Sequence, residues 1–147
     1  MTRLRLLPAL LLTLACATGG DGNRVTAGPR PSVGMSVAGP VHIDRTGEGP
    51  ITLVVRITNT APHPITVRRV RVQSWAMEQW AIDPAERYVV EKLDPGASAR
   101  IELSGTAYRK SRTRFLGEPL TLRALVDYEV EGRRFREVVV ERSVGGE

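Results

Sequence analysis

The sequence predicts an all-β fold, an antiparallel β-sandwich of about seven strands, and three observations carry that prediction. In residues 51–57 the apolar side chains Ile51, Leu53, Val55 and Ile57 fall on every second position, which places them on one face of a pleated strand. Short runs of this kind recur down the chain between clusters of Asn, Pro and Gly, with no long helical periodicity among them. The last such runs, in residues 120–143, can be folded on each other so that aromatic and opposite-charge residues meet.

The elements follow in order from the amino terminus. Arg3 and Arg5 precede an almost wholly apolar run over residues 6–14 and then small residues, the order of a secretory signal peptide and too short to span a bilayer. Residues 1–15 are therefore expected to be removed, and the mature protein to lie outside the cytoplasm. The run LLTLAC, residues 11–16, resembles the lipobox of bacterial lipoproteins, although Thr13 stands where that family prefers Leu. The resemblance implies cleavage before Cys16 and a lipid on its thiol, hence a membrane anchor. With Ala17 next in line, it further implies the outer membrane, facing the periplasm. Cys16 is the only cysteine, so no intramolecular disulfide competes for it. The same residues also fit an ordinary cleavage after Ala17, which would release a soluble domain.

Residues 16–31 hold the cysteine and then TGGDGNRVTAGPRP, a stretch rich in Gly and Pro that cannot pack a core and reads as a flexible tether of roughly 20 Å. With 147 residues, 41% hydrophobic and 25% charged, the chain has room for one domain, over residues 32–143, and a short tail, 144–147. Loss of Arg3 and Arg5 lowers the formal charge from +5 to +3, too little to mark a nucleic-acid binder.

Within the domain, Val33, Met35 and Val37 alternate as a first strand, broken by Gly39 and Pro40 ahead of Val41 and Ile43. Residues 47–50 read as a loop. Residues 51–75, ITLVVRITNTAPHPITVRRVRVQSW, read as two strands folded back on each other through the turn Asn59 to Pro64. The apolar phase changes from Ile65 and Val67 to Val70 and Val72, which demands one extra residue, a β-bulge at Arg68 or Arg69. Residues 87–91 form a short strand, Leu93-Asp94-Pro95-Gly96 a turn, and residues 98–104 a strand with Ile101 and Leu103 inward. With Glu131-Gly132 as a two-residue loop, Tyr128 opposes Phe135, Glu129 opposes Arg134, and Asp127 opposes Arg136. Glu137 would then share the face of Leu122, Val126 and Tyr128, so either a bulge lies near it or that face opens to water.

The patterns Asn59-Thr60 before Pro64-Ile65, and Leu93, Pro95-Gly96 and Ser98, resemble those of small immunoglobulin-like domains in bacterial envelope proteins. They are also similar to the water stress and hypersensitive response domain. The resemblance implies an immunoglobulin-like β-sandwich and carries no catalytic residue with it.

Candidate sites are few. Residues 108–115, YRKSRTRF, bring Arg109, Lys110, Arg112 and Arg114 between Tyr108 and Phe115, an anion-binding strip if extended and otherwise a solvated connection. Arg68, Arg69 and Arg71, and again Arg133, Arg134 and Arg136, look basic in linear sequence, but the hairpin register pairs Arg134 and Arg136 with acids. Trp75, Met77 and Trp80 read either as an aromatic groove for a sugar or peptide or, the commoner arrangement in such folds, as a core position for Trp75, which is the expectation, with Trp80 as a candidate partner contact alongside Tyr108 and Phe115. His42 and His63 lack the spacing of metal ligands, no Gly-x-Ser-x-Gly elbow is present, and no carboxylate pair stands out, so no catalytic residue, metal or cofactor is expected. The expectation is a membrane-tethered, non-catalytic envelope lipoprotein acting as a binding or structural accessory module, its partner an envelope protein. The alternative is an arginine-driven binder of anionic envelope polymer or lipid headgroups.

Overall fold

The computed structural model describes residues 30–75, 80–110 and 120–143. The signal peptide, Cys16, most of the tether, Met77, Arg112, Arg114, Phe115 and the tail lie outside these residues. Eight strands are present among the described residues: β1 (Ser32–Val37), β2 (Glu48–Thr58), β3 (Ile65–Ser74), β4 (Trp80–Ile82), β5 (Ala85–Leu93), β6 (Ser98–Arg109), β7 (Leu120–Val130) and β8 (Arg133–Ser143). They form two four-stranded antiparallel sheets, β1-β2-β6-β4 and β5-β3-β7-β8, stacked face to face. The core is the sandwich filling, with Leu53, Val55 and Ile57 from one sheet and Ile65, Val67, Val70, Val72 and Val126 from the other excluded from solvent.

The two strands of residues 51–75 are not a hairpin. β2 pairs with β1 and β6, whereas β3 pairs with β5 and β7, so the turn between them carries the chain from one sheet to the other. The physical reason is that each strand has a continuous apolar face. Stacking covers both faces at once, which pairing within one sheet would not do. Asn59 makes the crossing. It is fully buried, its Nδ2 donates to the His63 and Leu93 carbonyls at 2.9 Å each, and its Oδ1 accepts from the Ala61 amide. Its backbone N–H and C=O pair with Ala97 and Gly96. One side chain thus ties the β2–β3 turn to the β5–β6 turn, which explains why Asn59 and the Leu93-Asp94-Pro95-Gly96 turn stand together.

The bulge falls where the phase change requires it: pairing of β3 with both neighbours shifts between Val67 and Arg69. The β7–β8 hairpin has the expected register, with Tyr128 opposite Phe135, Glu129 opposite Arg134 and Asp127 opposite Arg136. Its loop residues Glu131 and Gly132 both adopt left-handed backbone, with φ of 49° and 77°, the conformation that matches the twist of a two-residue hairpin. No bulge accommodates Glu137, which opposes Val126 in regular register. The inner face of the edge strand β8 is half-exposed there, and the next acidic residue on that face, Glu141, accepts the Met35 amide of β1 at 2.9 Å.

Three further expectations are corrected. Residues 48–50 belong to β2 rather than to a loop. Gly49 is required there, because a Cβ would stand 1.9 Å from the His42 carbonyl oxygen of the segment that packs across it. β5 and β6 extend beyond the predicted 87–91 and 98–104, β6 as far as Arg109. Trp75 is not in the core. It is 53% exposed, because the phase that turns Val70 and Val72 inward turns Arg71, Gln73 and Trp75 outward.

Candidate functional site

The outer face of the β5-β3-β7-β8 sheet carries the densest charge among the described residues. Alternation from the buried positions turns Arg68, Arg69 and Arg71 of β3 outward, with Arg123 of β7 and Arg134, Arg136 and Arg142 of β8. β5 adds Lys92. Against these stand three outward carboxylates, Glu86, Asp127 and Glu129.

Both β7 acids are held between two arginines. Asp127 receives Arg69 at 2.6 Å from the β3 side and Arg136 at 2.6 Å from the β8 side. Glu129 receives Arg68 at 2.7 Å and Arg134 at 3.2 Å in the same way. Burial pushes the Asp127 carboxyl up, but the hydrogen bonds and charges of Arg136 and Arg69 outweigh it, and the group is held below its ordinary value. Glu129 is likewise lowered, chiefly by the hydrogen bond from Arg68, then by the Arg68 and Arg134 charges. The hairpin register finds one arginine for each acid. The second comes from β3, adjacent in space but about 60 residues away (Arg68 to Glu129 is 61, Arg69 to Asp127 is 58), so each acid neutralises only half of what surrounds it.

Further along the same face the acids give out. Among the described residues the Nε–H groups of Arg71 and Arg123 are buried without a hydrogen-bond partner, and Glu86 lies 3.9 Å from Arg71, an ion pair beyond hydrogen-bond reach. Arg123 lies over the Trp75 ring at 4.4 Å. Val138 and Val140 of β8 are exposed beside them. The Nε–H groups themselves are shielded, but the Arg71 side chain is 42% exposed, and guanidinium charge beside an indole and two aliphatic side chains suits a ligand that bears carboxylate or phosphate groups on a partly apolar backbone. A trough of about 760 Å³ lies at the other end of the face, lined by Arg68, Arg69, Tyr88, Val90, Arg134 and Arg136 among others.

The strip read from sequence lies elsewhere. Tyr108 and Arg109 end β6 and Lys110 follows, both cations exposed. Arg109 covers the half-buried Trp80 ring at 4.7 Å, so Trp80 is packed by a neighbouring side chain of the strip itself. Among the described residues no three His, Cys, Asp or Glu side chains converge on a metal position. His63 lies 3.6 Å from Glu131 at the hairpin loop.

No family model matches the chain, and no curated protein does. The fold itself is similar to solved structures. One is the Northeast Structural Genomics Consortium target SoR45, with a TM-score of 0.55, 10% identity, and coverage of 78% of this chain and 84% of that one. Another is an ApaA-like protein from Bordetella pertussis, with a TM-score of 0.53, 18% identity, and coverage of 78% and 94%. At these identities the likeness shows architecture alone. The class it defines, with the strand order above, is the small immunoglobulin-like antiparallel β-sandwich.

Proposed function

We propose that the chain is an exported lipoprotein, anchored through a lipid on Cys16 at the periplasmic face of the outer membrane, whose sandwich is a non-catalytic binding module. Its site is the arginine face of β3, β7 and β8, and its ligand an anionic envelope polymer. The observation that carries this reading is the sharing of Asp127 and Glu129 by two arginines each, which leaves guanidinium charge in excess on one flat surface. The lipobox-like run before Cys16 supports the anchor. Several acyl chains hold a protein firmly at a membrane, since burial of each methylene contributes about 0.8 kcal/mol. The buried Asn59 turn supports the similarity to the water stress and hypersensitive response domain.

Polygalacturonate, a carboxylated polymer, serves as the probe and uncharged dextran as its control. Binding to polygalacturonate is expected to weaken steeply between about 50 and 500 mM salt. Arg71→Gln combined with Arg123→Gln is expected to weaken it by about tenfold, because it removes two outward guanidinium charges from the stretch of the face where no carboxylate comes within hydrogen-bond reach of Arg71. Gln at Arg109, Lys110, Arg112 and Arg114 is expected to change it little. Salt-independent binding, or the opposite ranking of the two variants, would refute this site. The anchor is tested separately by the intact mass of the mature amino-terminal peptide, which begins at acylated Cys16 if the proposal holds and at Thr18 without lipid if the domain is released.

A further inference from the structure

We infer that the free edge of β5 is a dimerisation edge and that its occupant is the β5 strand of a second copy. Among the described residues β5 pairs only with β3, so one side of this nine-residue strand has no neighbour. It also carries the two most exposed large apolar side chains of the described residues, Tyr88 at 74% and Val90 at 76%. An exposed edge with protruding apolar residues is a template for another strand unless charge forbids it.

Here the charge selects a partner. Two copies of β5 related by a two-fold axis through Val89 pair antiparallel, and the sequence AERYVVEKL is complementary to itself in that register. Glu86 falls opposite Lys92 of the other copy, Arg87 opposite Glu91, Tyr88 opposite Val90, and Val89 opposite Val89. By symmetry each unlike pair forms twice. The faces agree as well. Ala85, Val89 and Leu93 turn toward the core, and Arg87 reaches across to the Glu102 carbonyl of β6, while Glu86, Tyr88, Val90 and Lys92 turn outward. Each cross-strand pair therefore joins residues on one face, as a continuous sheet requires.

The other edges do not offer this. β4 is three residues long, and β1 already gives its Met35 amide to Glu141. On β8, a register centred on Val138 or Val139 sets Arg142 opposite Arg134 or Arg136, and one centred on Arg136 or Glu137 sets that residue against its own copy. Like charges directly opposite one another destabilise a sheet. The β5 dimer instead joins two four-stranded sheets into one of eight, with both arginine faces on the same side. It does not depend on the ligand proposed above.

The test uses the full chain with Cys16→Ser, so that an introduced thiol is the only one. Val89→Cys places two thiols across the two-fold axis, at a Cα separation of roughly 4.5–5.5 Å that a disulfide spans. Under mild oxidation it is expected to give covalent dimer well above that of Val140→Cys, which sits on β8 and measures random collision. Adding Lys92→Glu is expected to cut the yield roughly tenfold by turning both Glu86 pairs repulsive, and adding Glu86→Lys to that variant to restore it. A Val89→Cys yield equal to that of Val140→Cys overturns the dimer. A yield above it but indifferent to Lys92→Glu overturns the register.

Discussion

Asn59 is the residue on which the sandwich is most narrowly dependent. Its side chain satisfies two carbonyls and one amide in a site closed to water. Asn59→Ala orphans all three groups, and a loss of about 3 kcal/mol in urea unfolding is expected. Asn59→Asp should be worse at pH 7 than at pH 4, since a carboxylate would face the His63 and Leu93 carbonyls. The sequence pattern marked this turn but not its function as a tie, because the partner Leu93 lies 34 residues away. At Asp127 and Glu129 the folded-state values lie below the ordinary 3.8 and 4.5. Their contribution is therefore present above the unfolded values and is lost as pH falls through the folded ones. Thermal melts from pH 7 to pH 2 should show the midpoint dropping below about pH 4, and Asp127→Asn with Glu129→Gln should flatten that limb.

Among the elements, those fixed by local pattern were legible and those fixed by remote partners were not. The bulge at Arg68 follows from a change of phase within eight residues, and the β7–β8 register from a two-residue loop with three concordant pairs. By contrast, nothing near residues 51–75 says whether the two strands share a sheet, since an apolar face fits a hairpin and a stacked pair alike. At Trp75 residue type and period disagree: an indole suits a core, but the phase set by Val70 and Val72 points position 75 outward, and the period prevails. The start of β2 was missed because Gly49 and Pro50 read as loop chemistry, although Gly49 is demanded by the close passage of His42. Gly49→Ala is accordingly expected to destabilise the fold by roughly 2–4 kcal/mol, measured by thermal or urea unfolding, because the atom displaced is backbone. Gly132→Ala, strained only by its left-handed φ, should cost about 1–2 kcal/mol in the same measurement.

For the molecule as a whole, the arginine face was half legible. The acids of β7 and the arginines of β8 could be paired from sequence, and the pairing suggested neutrality. Only the sheet order brings β3 alongside and doubles the arginines on each acid. The direction of β1 has a consequence of its own. The chain enters at Ser32, beside Thr58 and the Asn59 turn, while Glu48, Trp80 and Arg109 lie at the far end of strands up to 12 residues long, roughly 35 Å away. A two-fold axis perpendicular to the sheet reverses that direction, so the two copies of the β5-paired dimer would receive their tethers at opposite poles. If the chain is anchored through Cys16 as proposed, a tether with an r.m.s. length of roughly 20 Å would favour a dimer that reclines, its strands running along the lipid plane. An upright monomer would hold its Trp80 end out from the membrane. The reclining pair would instead present a whole broad side to the bilayer and the other to the periplasm.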